Sequence, residues 1–227
     1  MQSTVLYVHI LFGAIAVIAG YVALFTKKGK ARHIQFGNWF VVTMILMAIS
    51  GVVIAYLMPM IITVFAGLYT MYLVLTGVGV FKLADKRRSY YNIAMMITSL
   101  LIGLSSLVCA YWAAQSETGL YQRVSIEPYI MFGVLPLISA ILDIRYMRVQ
   151  TLTSKMRISR HVWRMCFAMF IAVGSFVGQG LKSAPEAVAN FVLVEYADAI
   201  ILLIMLYWLI KVSGVVTQLK SRLTRSA

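Results

Sequence analysis

The chain has 227 residues, 62% hydrophobic and 12% charged, with a mean hydropathy of +0.89 and a net charge of +13. A soluble domain is about half apolar and about a quarter charged, so these values exclude an ordinary soluble core and point to membrane spans. The basic residues lie in short loops between apolar runs, which argues against nucleic acid as the partner, and no hydrophilic stretch is long enough for a second domain.

Seven apolar runs are each long enough for a span of about 20 residues, and together they predict an all-α seven-helix membrane bundle in one domain. The first covers about 4–26, with His9, Gly13, Ala16 and Gly20 on one face. Met1-Gln2-Ser3-Thr4 lacks the positive n-region of a cleavable signal peptide, so this run is expected to stay as a span. The loop Lys27 to Arg32 is basic, and His33 and Gly37 open the second span, about 35–56. A short turn around Pro59 leads to the third, about 59–81, with Tyr69, Tyr72, Thr76 and Gly79 on one face. The two tyrosines are expected to pack, with hydroxyl partners if buried.

The fourth span, about 91–114, aligns Ser99, Gly103, Ser106 and Ala110, and ends at the interfacial pair Tyr111-Trp112. The fifth, about 128–147, carries Pro136 near its middle, where a kink is expected, and ends Asp143-Ile144-Arg145. A basic loop leads to Arg160-His161-Val162-Trp163-Arg164-Met165, which opens the sixth span, about 161–181. Its face His161, Arg164, Ala168, Ala172, Ser175, Gln179 is expected to look inward, because polar side chains on an apolar helix turn away from lipid. The seventh span, about 191–211, has Glu195 and Asp198 early, and a basic tail follows.

The loops after spans one, three and five, the base of span six and the tail hold all of the 20 Lys and Arg except Arg123 and Lys182. The positive-inside bias therefore predicts an outside N-terminus and a cytoplasmic C-terminus. Cys109 and Cys166 fall toward opposite ends of their spans and belong to no Cys/His zinc pattern, so they read as small packing residues.

This topology sorts the polar residues into two groups. His33, Asp143, His161 and Arg164 come to the cytoplasmic boundary. His33 and His161 would ligate a transition metal with Asp143 as third ligand, or hold a haem iron from both sides. Arg164 would face a propionate or another anion. The alternative is a structural bridge from Asp143 to Arg164 or His161 that pins helix ends. At the outer side His9, Gln179, Glu195 and Asp198 form a second group, read as a proton or ion site or as an ordinary interface cluster. A span is about 30 Å long, so His9 cannot join the inner histidines. Retinal chemistry is excluded, because no lysine sits mid-way along the seventh span. A His-x-x-x-His membrane hydrolase is excluded by the spacing of the three histidines, and a two-haem cytochrome by their number.

His9, His33-Ile-Gln-Phe-Gly37, Asp143-Ile-Arg145, Arg160-His161-Val-Trp-Arg164-Met165, Ser175-Phe-Val-Gly-Gln179 and Tyr207-Trp208 together resemble the bacterial membrane proteins of domain of unknown function 2306. The resemblance covers most of the chain, and the Arg-His-x-x-Arg-Met phrase is its sharpest part. Where such proteins often show His-Arg at the start of span two, this chain has His33-Ile34, which weakens any role for a basic partner there. The resemblance implies the topology and singles out His9, His33, Asp143, His161 and Arg164, without an activity.

The sequence thus leads to a multi-pass protein of a bacterial inner membrane, with the lipid bilayer as its surroundings. The first reading of its function is haem or transition-metal binding with a redox-type role. The second is a proton- or cation-coupled small-molecule transporter. The third is an accessory subunit, held by a membrane partner or by copies of itself.

Overall fold

Hydrocarbon offers no water to a bare N–H or C=O, so an apolar run that crosses it must close its hydrogen bonds on itself. The computed structural model describes residues 2–82, 89–179 and 196–213, and its described residues form seven helices. These are α1 (Gln2–Phe25), α2 (Ala31–Leu57), α3 (Ile61–Lys82), α4 (Tyr90–Gln115), α5 (Ile126–Arg148), α6 (Ser154–Gln179) and α7 (Ala197–Ser213). The first five are long and apolar enough to cross a bilayer. The helix order follows the predicted runs, and α5 continues through Pro136 as one helix. α6 begins earlier than its apolar run. Thr153 Oγ1 accepts the Met156 N–H at 3.3 Å, a cap that carries the helix back through residues expected to be a basic loop.

Two compact units divide the helices. One holds α1, α2, α4, α5 and α3 through Thr76; the other holds α3 from Gly77 with α6 and α7. Within the first unit α1 and α2 form an antiparallel hairpin, seen in the pairing of His33 with Ala23 and of His9 with Met47. α4 and α5 form a second. Ser99 donates to the Pro136 carbonyl at 2.8 Å and Ser106 to the Tyr129 carbonyl at 2.7 Å, which ties the two helices at points two turns apart. Between these rungs the backbones approach closely. A methyl on Gly103 would lie 2.8 Å from the Gly133 carbonyl oxygen, so only glycine fits there.

The packing is polar side in. Ser99 and Ser106 are fully buried, while Leu101 on the opposite face of α4 is 58% exposed. α5 buries Ser139 and Asp143 and exposes Ile138 and Ile141. A water-soluble helix shows the reverse arrangement, so these faces are built for lipid. The chain is a helical membrane protein with several spans.

Candidate functional site

The polar centre of the first unit lies between α3 and α5. Spacing of three and four residues puts Tyr69, Tyr72 and Thr76 on one face of α3, and Ser139 and Asp143 on one face of α5. The two faces meet as two rungs. Tyr72 donates its hydroxyl to Asp143 Oδ2 at 2.6 Å. Tyr69 and Ser139 are 2.8 Å apart. Ser139 sends its single proton to the Leu135 carbonyl, so Tyr69 is the donor in this rung. The rungs advance in the same direction along both chains, so α3 and α5 run parallel. Thr76 donates to the Tyr72 carbonyl and steadies the α3 backbone beside the first rung.

Asp143 is 2% exposed, and both tyrosines are 1% exposed. Their rings stack, with centroids 5.8 Å apart, and Phe132 closes the side of Tyr69 edge-on at 6.4 Å. A hydroxyl at 2.6 Å from a carboxyl oxygen is in the range of a charge-assisted bond to an ionised acceptor.

The other predicted residues are distributed as follows. His9 Nδ1 lies 2.9 Å from the Met47 carbonyl and 3.2 Å from Ser50 Oγ, and its ring sits over Gly51. A Cβ at Gly51 would come 3.2 Å from His9 Cε1, so the glycine makes the notch that holds the ring. His33 Nδ1 is 3.0 Å from the Ala23 carbonyl. In the second unit His161 Nδ1 is 3.0 Å from the Gly77 carbonyl, with Phe81 edge-on to the ring at 5.2 Å. Arg164, one turn further, is fully buried, and its guanidinium lies 4.8 Å from the Trp163 ring centre. Asp198 Oδ1 accepts the Ala199 N–H at 2.7 Å at the start of α7. The Gln179 side chain and Glu195 lie outside the described residues.

Among the described residues no three His, Cys, Asp or Glu side chains form a group that could hold a metal ion. Asp143 Oδ2 accepts from Tyr72, and His33 and His161 each place Nδ1 at a main-chain carbonyl. The inward face of α6 differs from expectation. It is buried through Arg164, Ala168 and Ala172, but Ser175 is exposed. The two tyrosines pack and, being buried, find hydroxyl partners, as expected. Tyr72 is the partner of the one acid in the site, a role that sequence reveals only as a face shared with Thr76.

No family model, no curated protein and no solved structure matches the chain.

Proposed function

We propose that this protein is a proton- or cation-coupled small-molecule transporter in which Asp143, held by Tyr72, carries the coupling ion. The observation behind this reading is the 2.6 Å bond from Tyr72 to a carboxyl group that is 2% exposed, between helices apolar enough to span. Acids inside membrane helices are costly and are retained where they pair or handle ions. The topology that accompanies it is a seven-span bundle in a bacterial inner membrane, outside at the start and cytoplasmic at the end. The distribution of Lys and Arg supports that orientation. In it Asp143, near the end of α5, sits toward the cytoplasmic end of the path.

The test is proton flux in proteoliposomes with a trapped pH-sensitive dye and an imposed potential, with and without candidate small molecules outside. Asp143→Asn keeps the volume and one acceptor but cannot titrate, and flux should fall at least about tenfold, the scale of one lost proton-transfer partner. Tyr72→Phe should give a smaller loss. A folded, monodisperse Asp143→Asn protein that carries protons at the wild-type rate would sink the reading.

A second reading, haem binding with a redox-type role, draws on the histidines. A ligating imidazole usually donates its other ring N–H to a carbonyl or carboxylate, as the Nδ1 contacts of His33 and His161 would allow. Haem iron takes two axial ligands, so it does not require the three-ligand group.

A further inference from the structure

We propose that the groove between the end of α2 and the start of α3 binds one acyl chain of a membrane phospholipid, with that chain's ester carbonyl held by Gln122. The groove has a volume of about 350 Å³. Val52, Ala55 and Tyr56 line it from the last turns of α2, and Ile61 and Val64 from the first turn of α3. Gln122, in the loop between α4 and α5, lines it as well. Among the described residues that line it, Gln122 and Tyr56 alone carry a side-chain nitrogen or oxygen.

The loop holds this amide in place. Tyr121 and Val124 exchange main-chain bonds of 2.9 and 3.0 Å, which close a two-residue turn at Gln122 and Arg123. Both central residues have positive φ, 49° at Gln122 and 63° at Arg123. Asn-Gly meets that requirement easily, whereas the Cβ of Gln and Arg crowds the left-handed region. Strain of this kind persists where the surroundings fix it. Here the Tyr121 ring packs against Trp112 and Tyr129, with centroids 5.3 and 6.0 Å away, and the Tyr129 hydroxyl donates to the Tyr121 carbonyl at 3.1 Å. On the other side Gln122 Oε1 accepts the Ile61 N–H at 2.8 Å, a donor that the first turn of a helix leaves without a helical partner. A main-chain N–H only donates, so the amide oxygen is the atom at Ile61 and the amide NH2 remains as a donor.

The order of these groups along the helices matches a phospholipid. Val52 lies deeper in its helix than Tyr56, and Val64 deeper than Ile61, so the apolar wall runs down toward the hydrocarbon. The amide sits at the turn around Pro59, where one span ends and the next begins. Tyr56, 86% exposed, puts an amphipathic ring at the same level. In a bilayer the acyl chains fill the depth of the wall, and their ester carbonyls lie at the level of the amide. An ester carbonyl only accepts, which suits the NH2 donor. A polar solute gains little from a wall that is otherwise apolar.

The test uses the full chain, delipidated in detergent, with bound lipid counted by native mass spectrometry. The probes are dioleoyl phosphatidylethanolamine and its diether analogue, which has the same tails and headgroup but no ester carbonyl. The wild type should hold one ester lipid at a concentration roughly tenfold below that needed for the diether, the scale of one hydrogen bond. Gln122→Glu keeps an acceptor oxygen for the Ile61 N–H but replaces the donor. Its Tm should stay near that of the wild type while the preference for the ester disappears. Val64→Phe fills the groove from the α3 side and leaves Gln122 unchanged, and occupancy by both lipids should be lost. A wild type that binds the two lipids alike, a Gln122→Glu protein that keeps the preference, or an occupancy unchanged in Val64→Phe would each overturn the proposal.

Discussion

At the scale of single residues, the three histidines share one device. Each places Nδ1 about 3 Å from a main-chain carbonyl: Met47 for His9, Ala23 for His33 and Gly77 for His161. A carbonyl oxygen only accepts, so Nδ1 carries the hydrogen, and a ring that is neutral would present Nε2 as its acceptor atom. That is the form in which an imidazole binds haem iron. If the haem reading holds, protein purified from haem-replete cells shows a Soret band, and His33→Ala or His161→Ala abolishes it. A colourless protein free of iron leaves the transport reading alone. The acid of the site was legible in the sequence, as a carboxylate at the end of an apolar run. Its partner was not. Tyr72 and Asp143 are 71 residues apart, on helices separated by α4, and helical periodicity names a face without naming what it meets.

At the scale of helices, Ser99, Gly103, Ser106 and Ala110 share one face of α4, and α5 is the helix that meets it. Two serine hydroxyls reach main-chain carbonyls across the seam, and glycine lets the backbones come together between them. Gly103→Ala puts a methyl 2.8 Å from the Gly133 carbonyl oxygen, an atom that cannot swing aside. Overpacking of this kind costs about 1–3 kcal/mol. Thermal unfolding in detergent should therefore show a lowered Tm for Gly103→Ala. Gly37→Ala is the control, because an added Cβ there meets nothing within 4 Å, and its Tm should stay level or rise. An unchanged Tm in Gly103→Ala would mean that the seam is looser than described. The start of α6 teaches a separate lesson. Composition marks its first residues as a basic loop, but the Thr153 cap and the helix-compatible Lys and Arg side chains extend the helix to Ser154.

For the molecule as a whole, the proposed topology makes a direct prediction. In a chain with Cys109 and Cys166 replaced by Ala, single cysteines at Lys30 and Thr151 should be labelled by an impermeant maleimide only after the membrane is opened. A cysteine at Thr118 should be labelled in intact cells or spheroplasts. The reverse pattern would invert the bundle and move Asp143 to the outer side of the path. Both native cysteines are buried and outside any disulfide, so their removal should leave the labelling background low.

Length, apolar content and the placement of Lys and Arg determined by themselves that the chain is helical and membrane-spanning. Backbone hydrogen bonds in lipid leave few alternatives, and burial of a whole span is a property of composition. Periodicity added which faces turn inward, because small and polar side chains gain nothing from hydrocarbon. Only the tertiary structure decided the pairings. It joined Tyr72 to Asp143 and Tyr69 to Ser139, set His9 in the notch at Gly51, and gave each histidine a main-chain carbonyl. The physical reason is that these bonds depend on which helices are neighbours and at what height. Inside a membrane, helices are sorted by the fit of small residues and by a few hydrogen bonds, and neither is written in the hydropathy that marks the spans.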